Sequence, residues 1–352
     1  LSAALGTSRP MRTSRTRRRI AAGVAASAAL AAAAFLGLQA GSDQQPPATA
    51  PTPPIAQPGA TLPASTGSYA AAYVGPLVFC WHTTDEEHEP GSLTPELGRY
   101  DSADPAVQRQ HLDLIQAAGA NLVALDWWGT QTSPWKAHIH RAVRGYAQEA
   151  DARGLGHCVY WEDLDSSSLD ADLAALRSLA ALPHYARLAG KPVLPIYNRA
   201  WRKLSEAQIA GIAAEWTVLL DKYPRVAELP ARGIGWGYWD VATTAEADLT
   251  AKYAAADAAG VAWLAFVNVG QDGRQTRHHS PAWPSGVAGY TDGASPAWLQ
   301  HQADLARAAH PDMVLTAWNE LGERDAVEPT VEYGRTLYEA WVAAILRFRA
   351  AQ

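Results

Sequence analysis

The chain has 352 residues, of which 48% are apolar and 18% are charged. This composition excludes a wholly disordered protein and is sufficient for a large core. The formal net charge is −6, but six arginines lie within residues 1–40 and no acidic residue precedes Asp43. Without those arginines the chain has 23 basic and 35 acidic residues, a net charge of −12. Such a charge disfavours nucleic acid as a partner.

Residues 1–40 have the pattern of an export signal. An arginine-rich stretch precedes the uncharged, alanine-rich run 20–38 and the small residue Ala40. The run is long enough to span a bilayer, but its alanine and glycine make it only weakly hydrophobic. We therefore expect a cleaved signal, with a retained membrane tether as the alternative, and an extracellular or cell-envelope location. Residues 41–67, rich in Pro, Ala and Thr, are expected to form a linker.

From residue 68 onward, strand patterns alternate with helix patterns. Serine or aspartate followed by proline predicts three helix starts, and Ser205 with Gln208 predicts a capping box. The helix after that box is expected to bury Ile209, Ile212, Trp216 and Leu219. The predicted strands are 73–81, 121–128, 157–162, 192–197, 233–239, 261–268 and 313–318. This alternation predicts a parallel sheet surrounded by helices, and we expect one (β/α)8 TIM-type barrel over residues 68–352.

Seven predicted strands are one short of a closed barrel. Either the missing strand lies in the irregular region 270–293 or the barrel is imperfect. An open doubly wound sheet is a further alternative, although no glycine-rich phosphate loop follows the first strand. The long connections 82–103 and 270–294 both leave the C-terminal ends of strands, where barrel loops form substrate clefts. We therefore expect a cleft at that end.

Two glutamates, Glu320 and Glu323, follow the last predicted strand. The C-terminal end of a barrel strand is the usual position of a catalytic residue. Cleavage between sugars requires a proton donor at the leaving oxygen and a second group that acts at the anomeric carbon, and two carboxyl groups meet both needs. The alternative is that such a glutamate caps a helix or faces solvent. We predict that both residues are catalytic.

Aromatic and polar side chains end several other predicted strands. An indole ring provides a flat apolar face and one hydrogen-bond donor, which suits a pyranose ring, although core packing explains many such residues equally well. Adjacent residues of a strand point to opposite faces, so Trp127 and Trp128 cannot both point inward. Asp126 is interpreted as a sugar ligand or a structural acid. The predicted substrate-binding residues are Trp81, Trp127, Trp128, Glu162, Tyr197, Asn198 and Asn319.

The chain also contains two cysteines and two clusters of possible metal ligands. Cys80 and Cys158 lie in predicted strands that are not neighbours, so we expect two buried free thiols rather than a disulfide. The acidic loop 85–89 and the pair His278-His279 contain residue types that bind metals. Their spacing matches no known metal site, so we predict neither a metal nor a cofactor.

The segment Trp318-Asn-Glu-Leu-Gly-Glu323, followed by Glu328-Pro329 and Tyr333-Gly334, resembles a family signature. It is similar to the Asn-Glu-Trp-(His/Gly)-Glu-Gly … Glu-Pro pattern of the family-99 glycoside hydrolases and their WbsX-like relatives. Stretches 100–107, 118–129 and 192–197 are also similar to that family, so the resemblance covers most of residues 73–345. Two positions differ from the pattern, and a third has one of the two residues that the pattern allows. Leu321 replaces Trp, Arg324 replaces Gly, and Gly322 in place of His is typical of the less characterised relatives.

The resemblance implies a (β/α)8 barrel and retaining hydrolysis of an α-linked glycan, as in the endo-α-mannosidases of that family. Carried over from the family, Glu320 would assist the substrate's own 2-hydroxyl as internal nucleophile, and Glu323 would act as general acid/base. Mannose specificity does not follow from these residues. The alternatives are a non-hydrolytic carbohydrate-binding or polysaccharide-assembly protein on the same barrel, and a metal-dependent deacetylase of a surface glycan.

Overall fold

The computed structural model describes residues 71–84, 92–130, 133–165, 168–239, 241, 244, 246–270 and 295–350. All of them lie within one compact unit, Leu62–Gln352. The predicted export segment 1–40 and linker 41–67 lie outside the described residues, as do the acidic loop 85–89 and His278-His279. Among the helices described, none is long and apolar enough to cross a membrane. The part of the chain that is described also contains no group of three or more metal-ligand side chains.

Eight parallel strands form a closed barrel. They are β1 Tyr73–Val78, β2 Leu122–Trp127, β3 Gly156–Trp161, β4 Lys191–Ile196, β5 Thr217–Asp221, β6 Gly235–Tyr238, β7 Trp263–Phe266 and β8 Met313–Ala317. Each strand pairs with the next in chain order, β8 pairs with β1, and Trp161 of β3 pairs with Ile196 of β4. A two-residue strand, Arg187–Leu188, runs antiparallel to the start of β4. The predicted TIM-type barrel is confirmed, and its ring of strands is complete.

Helices connect these strands along the outside of the barrel. The longer ones are α1 Pro105–Ala117, α2 Pro134–Ala152, α3 Leu169–Ala180, α4 Glu206–Glu215, α5 Glu246–Ala259, α6 Pro296–Ala308 and α7 Thr336–Arg349. One-turn helices Asn198–Trp201 and Leu229–Arg232 follow β4 and β5, and a 3-10 turn, Val226–Glu228, precedes the second of them. The predicted helix starts are confirmed, because Asp104, Ser133 and Ser295 each accept a backbone N–H. The Ser205–Gln208 capping box is also present.

The prediction for the eighth strand was wrong in its position. That strand is β5, not a part of residues 270–293, and it begins two residues after α4 ends at Glu215. Trp216 is already extended, with φ −122° and ψ 152°. The predicted helix through Leu219 was therefore too long. The apolar residues from Ile209 to Leu220 fit a helical period, but periodicity does not separate a buried helix from a short buried strand. Residues 217–221 form a strand because they pair with β4 on one side and with β6 on the other.

Both cysteines are free and buried, as expected. Cys158 lies in β3, and Cys80 lies two residues beyond the end of β1. Strand β2 separates the two, which explains why they do not join. Burial raises the pKa of the Cys158 thiol to about 12, so this group stays protonated and unreactive at neutral pH.

Gly75 provides a test of how closely β1 packs in the barrel. A Cβ atom added at this position would lie 1.8 Å from the backbone carbonyl oxygen of Leu122, which has no room to move within the sheet. We expect Gly75→Ala to lower the free energy of unfolding by about 3 kcal/mol, measured by urea denaturation.

A matched control is Gly211→Ala in α4, where an added Cβ meets nothing within 4 Å. Alanine should stabilise this exposed helix position by about 0.5–1 kcal/mol. Equal effects of the two substitutions would contradict the close approach of β1 to residue 122.

Candidate active site

Glu320 and Glu323 lie on one hairpin at the C-terminal end of β8. After Trp318 the chain forms β9, Asn319–Glu320, and then β10, Asp325–Ala326, with Glu320 opposite Asp325 in an antiparallel pair. The turn between these short strands contains Glu323. The hairpin thus holds both glutamates within four residues of each other, at the end of the barrel where catalytic groups are usually found.

Both glutamates line a single cleft. The empty space within it, including solvent at its open mouth, is about 400 Å³. Residues at the C-terminal ends of β1, β3, β4, β6 and β8 line it. They are Leu77, Phe79, Tyr160, Glu162, Tyr197, Arg199, Trp239, Glu320 and Glu323. The ring centroids of Phe79 and Trp239 are 5.9 Å apart. Aromatic rings and carboxyl groups therefore share one cavity.

Asn319 attaches the hairpin to the end of β1. Its side-chain oxygen accepts the backbone N–H of Phe79 at 2.8 Å, and its amide nitrogen donates to the Phe79 carbonyl oxygen at 3.0 Å. The same nitrogen donates to the Tyr100 hydroxyl at 2.9 Å. Asn319 is fully buried. These bonds fix the backbone immediately before Glu320.

A buried polar network supports Asn319 from behind. The Tyr100 hydroxyl donates to Glu328 at 2.8 Å, and His111 contacts the other carboxylate oxygen of Glu328 at 3.0 Å. The second ring nitrogen of His111 is 2.7 Å from the Tyr146 hydroxyl oxygen. Burial, and then the charge of Glu328, raises the pKa of Tyr100, so its hydroxyl remains a donor. The network joins α1 and α2 to the segment that follows the hairpin.

Asp126 and Glu162 form a pair of carboxyl groups beside the cleft. Asp126 is fully buried and accepts the indole N–H of Trp128 at 2.8 Å. Its other oxygen has no N–H or O–H donor among the described residues. Burial, followed by the charge and hydrogen bond of Glu162 and then by Glu320, raises the pKa of Asp126 well above its usual value. Asp126 is therefore a neutral acid that donates to the Glu162 carboxylate.

Asp325, which pairs with Glu320 across the hairpin, is also kept protonated. It is fully buried, and one of its oxygens accepts the backbone N–H of Val269 at 3.3 Å. Burial, and then the negative charge of Glu323, raises its pKa well above the usual range. Burial of Asp325 therefore limits the negative charge beside Glu320 and Glu323.

Comparison with family models gives no match for this chain, and comparison with curated proteins gives none either. Solved structures do match. The GH99 endo-α-mannosidase from Bacteroides thetaiotaomicron, in complex with bis-tris-propane, gives a TM-score of 0.63 at 17% identity, over 80% of this chain and 99% of that one. Another structure of that enzyme gives 0.62 at 17% identity, over 80% and 100%. A glycoside hydrolase-like protein gives 0.58 at 14% identity, over 83% and 98%.

The chain shares the (β/α)8 fold of these structures. The resemblance expected from the signature is thereby confirmed for the architecture. The two departures from the signature also have a structural account. Leu321, in place of Trp, is buried against Leu93 and Ala326. Arg324, in place of Gly, adopts a φ of +57°, a conformation that glycine accepts most readily, and its guanidinium donates to the Tyr333 hydroxyl at 3.1 Å.

The predicted substrate-binding residues occupy different places in this fold. Glu162 and Tyr197 line the cleft. Trp81 and Trp128 are half-buried beside it, and their ring centroids are 6.1 Å apart. Asn198 is half-buried at the start of the one-turn helix that follows β4.

Two of these predicted residues are instead buried within the scaffold. Trp127 is fully buried and donates its indole N–H to His140 of α2, so it lies between barrel and helix. Asn319 is likewise enclosed, by its bonds to Phe79 and Tyr100.

Five cleft residues were not among the site residues predicted from the sequence: Leu77, Phe79, Tyr160, Arg199 and Trp239. Phe79 lies within the first predicted strand and Tyr160 within the third, where both resemble core residues. Arg199 lies two residues beyond Tyr197. The only available signal was its closeness to a strand end, because an isolated arginine in a loop is usually solvated.

We expect Asn319→Leu to lower the free energy of unfolding by about 3 kcal/mol, because the Phe79 backbone groups and the Tyr100 hydroxyl lose buried partners. Urea denaturation followed by tryptophan fluorescence measures this loss. A loss below about 1 kcal/mol would show that water replaces the amide and that the hairpin is attached by other contacts.

The neutral state of Asp126 predicts a specific pH dependence. Its raised pKa means that the protonated form stabilises the fold fully below the unfolded value, near pH 4, and that this stabilisation is lost as the pH rises through the folded value. Asp126→Asn retains an acceptor for Trp128 and a donor to Glu162 without an ionisable proton.

The stability of Asp126→Asn relative to the wild type should therefore increase above pH 4, by up to about 1.4 kcal/mol per pH unit. Urea denaturation at several pH values between 4 and 8 measures the difference. A variant less stable than the wild type at pH 7 would show that Asp126 is ionised in the folded protein.

Proposed function

We propose that the chain is a retaining glycoside hydrolase that acts on an α-linked glycan. The observation that supports this proposal is the hairpin of β9 and β10, which directs Glu320 and Glu323 into one open cleft at the C-terminal end of a closed barrel. Two carboxyl groups in one open cavity satisfy the needs of glycosidic bond cleavage. The fold shared with the endo-α-mannosidase structures agrees with this reaction.

In the proposed mechanism, Glu323 protonates the glycosidic oxygen as the bond to the leaving sugar breaks. Glu320 accepts the proton of the substrate's 2-hydroxyl, whose oxygen then attacks the anomeric carbon from the opposite face. Glu323 next removes a proton from water as the water oxygen attacks the anomeric carbon, the C1–O2 bond breaks, and Glu320 returns its proton to the 2-oxygen. The 2-hydroxyl, both glutamates and the original anomeric configuration are thereby restored. Both roles follow the family signature.

The walls of the cleft suit a pyranose. Phe79, Tyr197 and Trp239 present aromatic rings to the same cavity that contains the glutamates, and aromatic faces pack against the C–H face of a sugar ring. We propose endo action on a polysaccharide, because structures that share this fold include those of an endo-α-mannosidase. α-Mannan is the first substrate to test, since similar structures are those of an endo-α-mannosidase.

We further propose that the protein is exported. The arginine-rich and alanine-rich composition of residues 1–40 supports an export signal, with tethering to the membrane as the alternative outcome. Mass spectrometry of the mature N-terminus from the native host would distinguish cleavage near Ala40 from retention of the segment.

Glu320→Gln and Glu323→Gln should each reduce the release of reducing ends from a responsive glycan by at least about 100-fold, because each removes one proton-transfer group. The melting temperature should change little. Glu339→Gln on the exposed face of α7 is a matched control with the same chemical change outside the cleft. NMR of the first product should show retained anomeric configuration.

Two outcomes would contradict the proposed function. Full activity in both cleft variants would remove the glutamates from the mechanism. Binding of glycans by the wild type without any cleavage over long incubation would favour a carbohydrate-binding or polysaccharide-assembly protein on the same barrel.

A further inference from the structure

A cationic side chain lines the cleft opposite the two glutamates. Arg199 is on the one-turn helix Asn198–Trp201 that follows β4, and 44% of its side chain is exposed. In a closed ring of eight strands, β4 and β8 lie on opposite sides. Arg199 and the hairpin of Glu320 and Glu323 therefore form facing walls of one cavity.

Neighbouring side chains hold the Arg199 guanidinium in a fixed orientation. Its central carbon is 4.5 Å from the ring centroid of Trp128 and 5.9 Å from that of Tyr197. One nitrogen donates to Glu162 at 2.9 Å. The described hydrogen bonds of this side chain use one of its five N–H groups. Within the part of the chain that the structure describes, the other N–H groups form no hydrogen bond, and the side chain is partly exposed.

Asp126 and Glu162 lie beside Arg199, but only one of these two acids balances its positive charge. Glu162 is its partner, while Asp126 behind Glu162 is uncharged because burial raises its pKa. Burial opposes ionisation of Asp163, but hydrogen bonds from Lys203 and Lys136 outweigh that effect and lower its pKa. Asp163 is thus already neutralised by two lysines.

A second cationic side chain, that of Lys222, lies beside Tyr197 on the same side of the cleft as Arg199. Lys222 follows β5 immediately, and its nitrogen is 5.1 Å from the ring centroid of Tyr197 and 3.4 Å from the Tyr197 hydroxyl oxygen. The ammonium group of Lys222 therefore adds positive charge beside Tyr197 on this wall.

We propose that Arg199, supported by Lys222, binds an anionic substituent of the sugar, so that the substrate is an acidic glycan. This proposal rests on the proposed function and specifies its substrate class. The planar guanidinium offers paired N–H donors to a carboxylate, sulfate or phosphate group. Its position across from the glutamates keeps that negative charge away from them, which avoids repulsion where the glycosidic bond is cut.

Binding can be measured separately from turnover in the full chain with Glu320→Gln. Three probes are needed: an α-linked oligogalacturonate for a carboxylate, a phosphorylated α-mannooligosaccharide for a phosphate ester, and the neutral α-mannooligosaccharide. We expect at least one acidic probe to bind about tenfold more tightly than the neutral one, and the preference to shrink as salt is raised from about 50 to 500 mM. The acidic probe that binds more tightly shows whether the preferred group is a carboxylate or a phosphate ester.

Further substitutions assign the preference to Arg199. Adding Arg199→Gln to that background should weaken the preferred acidic probe at least about tenfold and the neutral probe less than about twofold. Arg199→Lys should recover part of the loss, and Lys222→Gln should have a smaller effect. Arg177→Gln, an exposed arginine of α3 paired with Glu215, is the control for loss of one positive charge elsewhere.

Each contrary result has a distinct meaning. Equal weakening of acidic and neutral probes would show that Arg199 only positions Glu162 and Trp128, which overturns the proposal. Absence of binding by both acidic probes would also overturn it. Cleavage of neutral glycan with no acidic preference would contradict this proposal and leave the proposed function intact. Arg199-dependent acidic binding with no cleavage by the wild type would support it while the hydrolase proposal fails.

Discussion

The arrangement of this protein depends on closure of its eight parallel strands. The pairing of β8 with β1 closes a ring that otherwise proceeds strand by strand along the chain. Because all strands run in one direction, their C-terminal ends meet at a single opening, and loops from distant parts of the sequence become neighbours. Phe79, Tyr197 and Glu320 share a cleft for this reason alone.

Closure places these segments at one mouth, but hydrogen bonds determine their positions. The amide of Asn319 bonds to both backbone groups of Phe79, and so joins the ends of β8 and β1 beneath the hairpin. Glu328, Tyr100 and His111 extend this support into the outer helices. A glutamate held by such a network has little freedom to move, which is the preorganisation that acid–base chemistry requires.

Burial also controls where charge is present around the cleft. Asp126 and Asp325 are both enclosed and kept neutral, the former beside Glu162 and the latter beside Glu323. Each would add repulsion near a glutamate if ionised. The cationic side chain that lines the described cleft, Arg199, lies over Trp128 on the opposite wall and pairs with Glu162. The cleft is thus electrically asymmetric, and this asymmetry underlies the proposed preference for acidic sugars.

The sequence alone determined the architecture and the segment that bears the glutamates. Alternating strand and helix patterns, proline-marked helix starts and the signature around Glu320 are local features, so they can be read without coordinates. Strand β5 was missed because a short apolar run next to a helix is ambiguous until its neighbours pair with it. Its identity is a property of the sheet rather than of the segment.

Tertiary structure decided which side chains face the cleft. Trp127 and Trp128 are adjacent and chemically identical, yet one packs beneath α2 and the other lies under Arg199, because successive residues leave a strand on opposite sides. Asn319 proved to be enclosed only because β1 lies beside it. Arg199 had no sequence signal beyond its closeness to a strand end, since its surroundings come from three separate strands. Residue types and their order can be read from each segment by itself. The orientation, burial and charge of the cleft side chains arise from contacts between segments far apart in the chain.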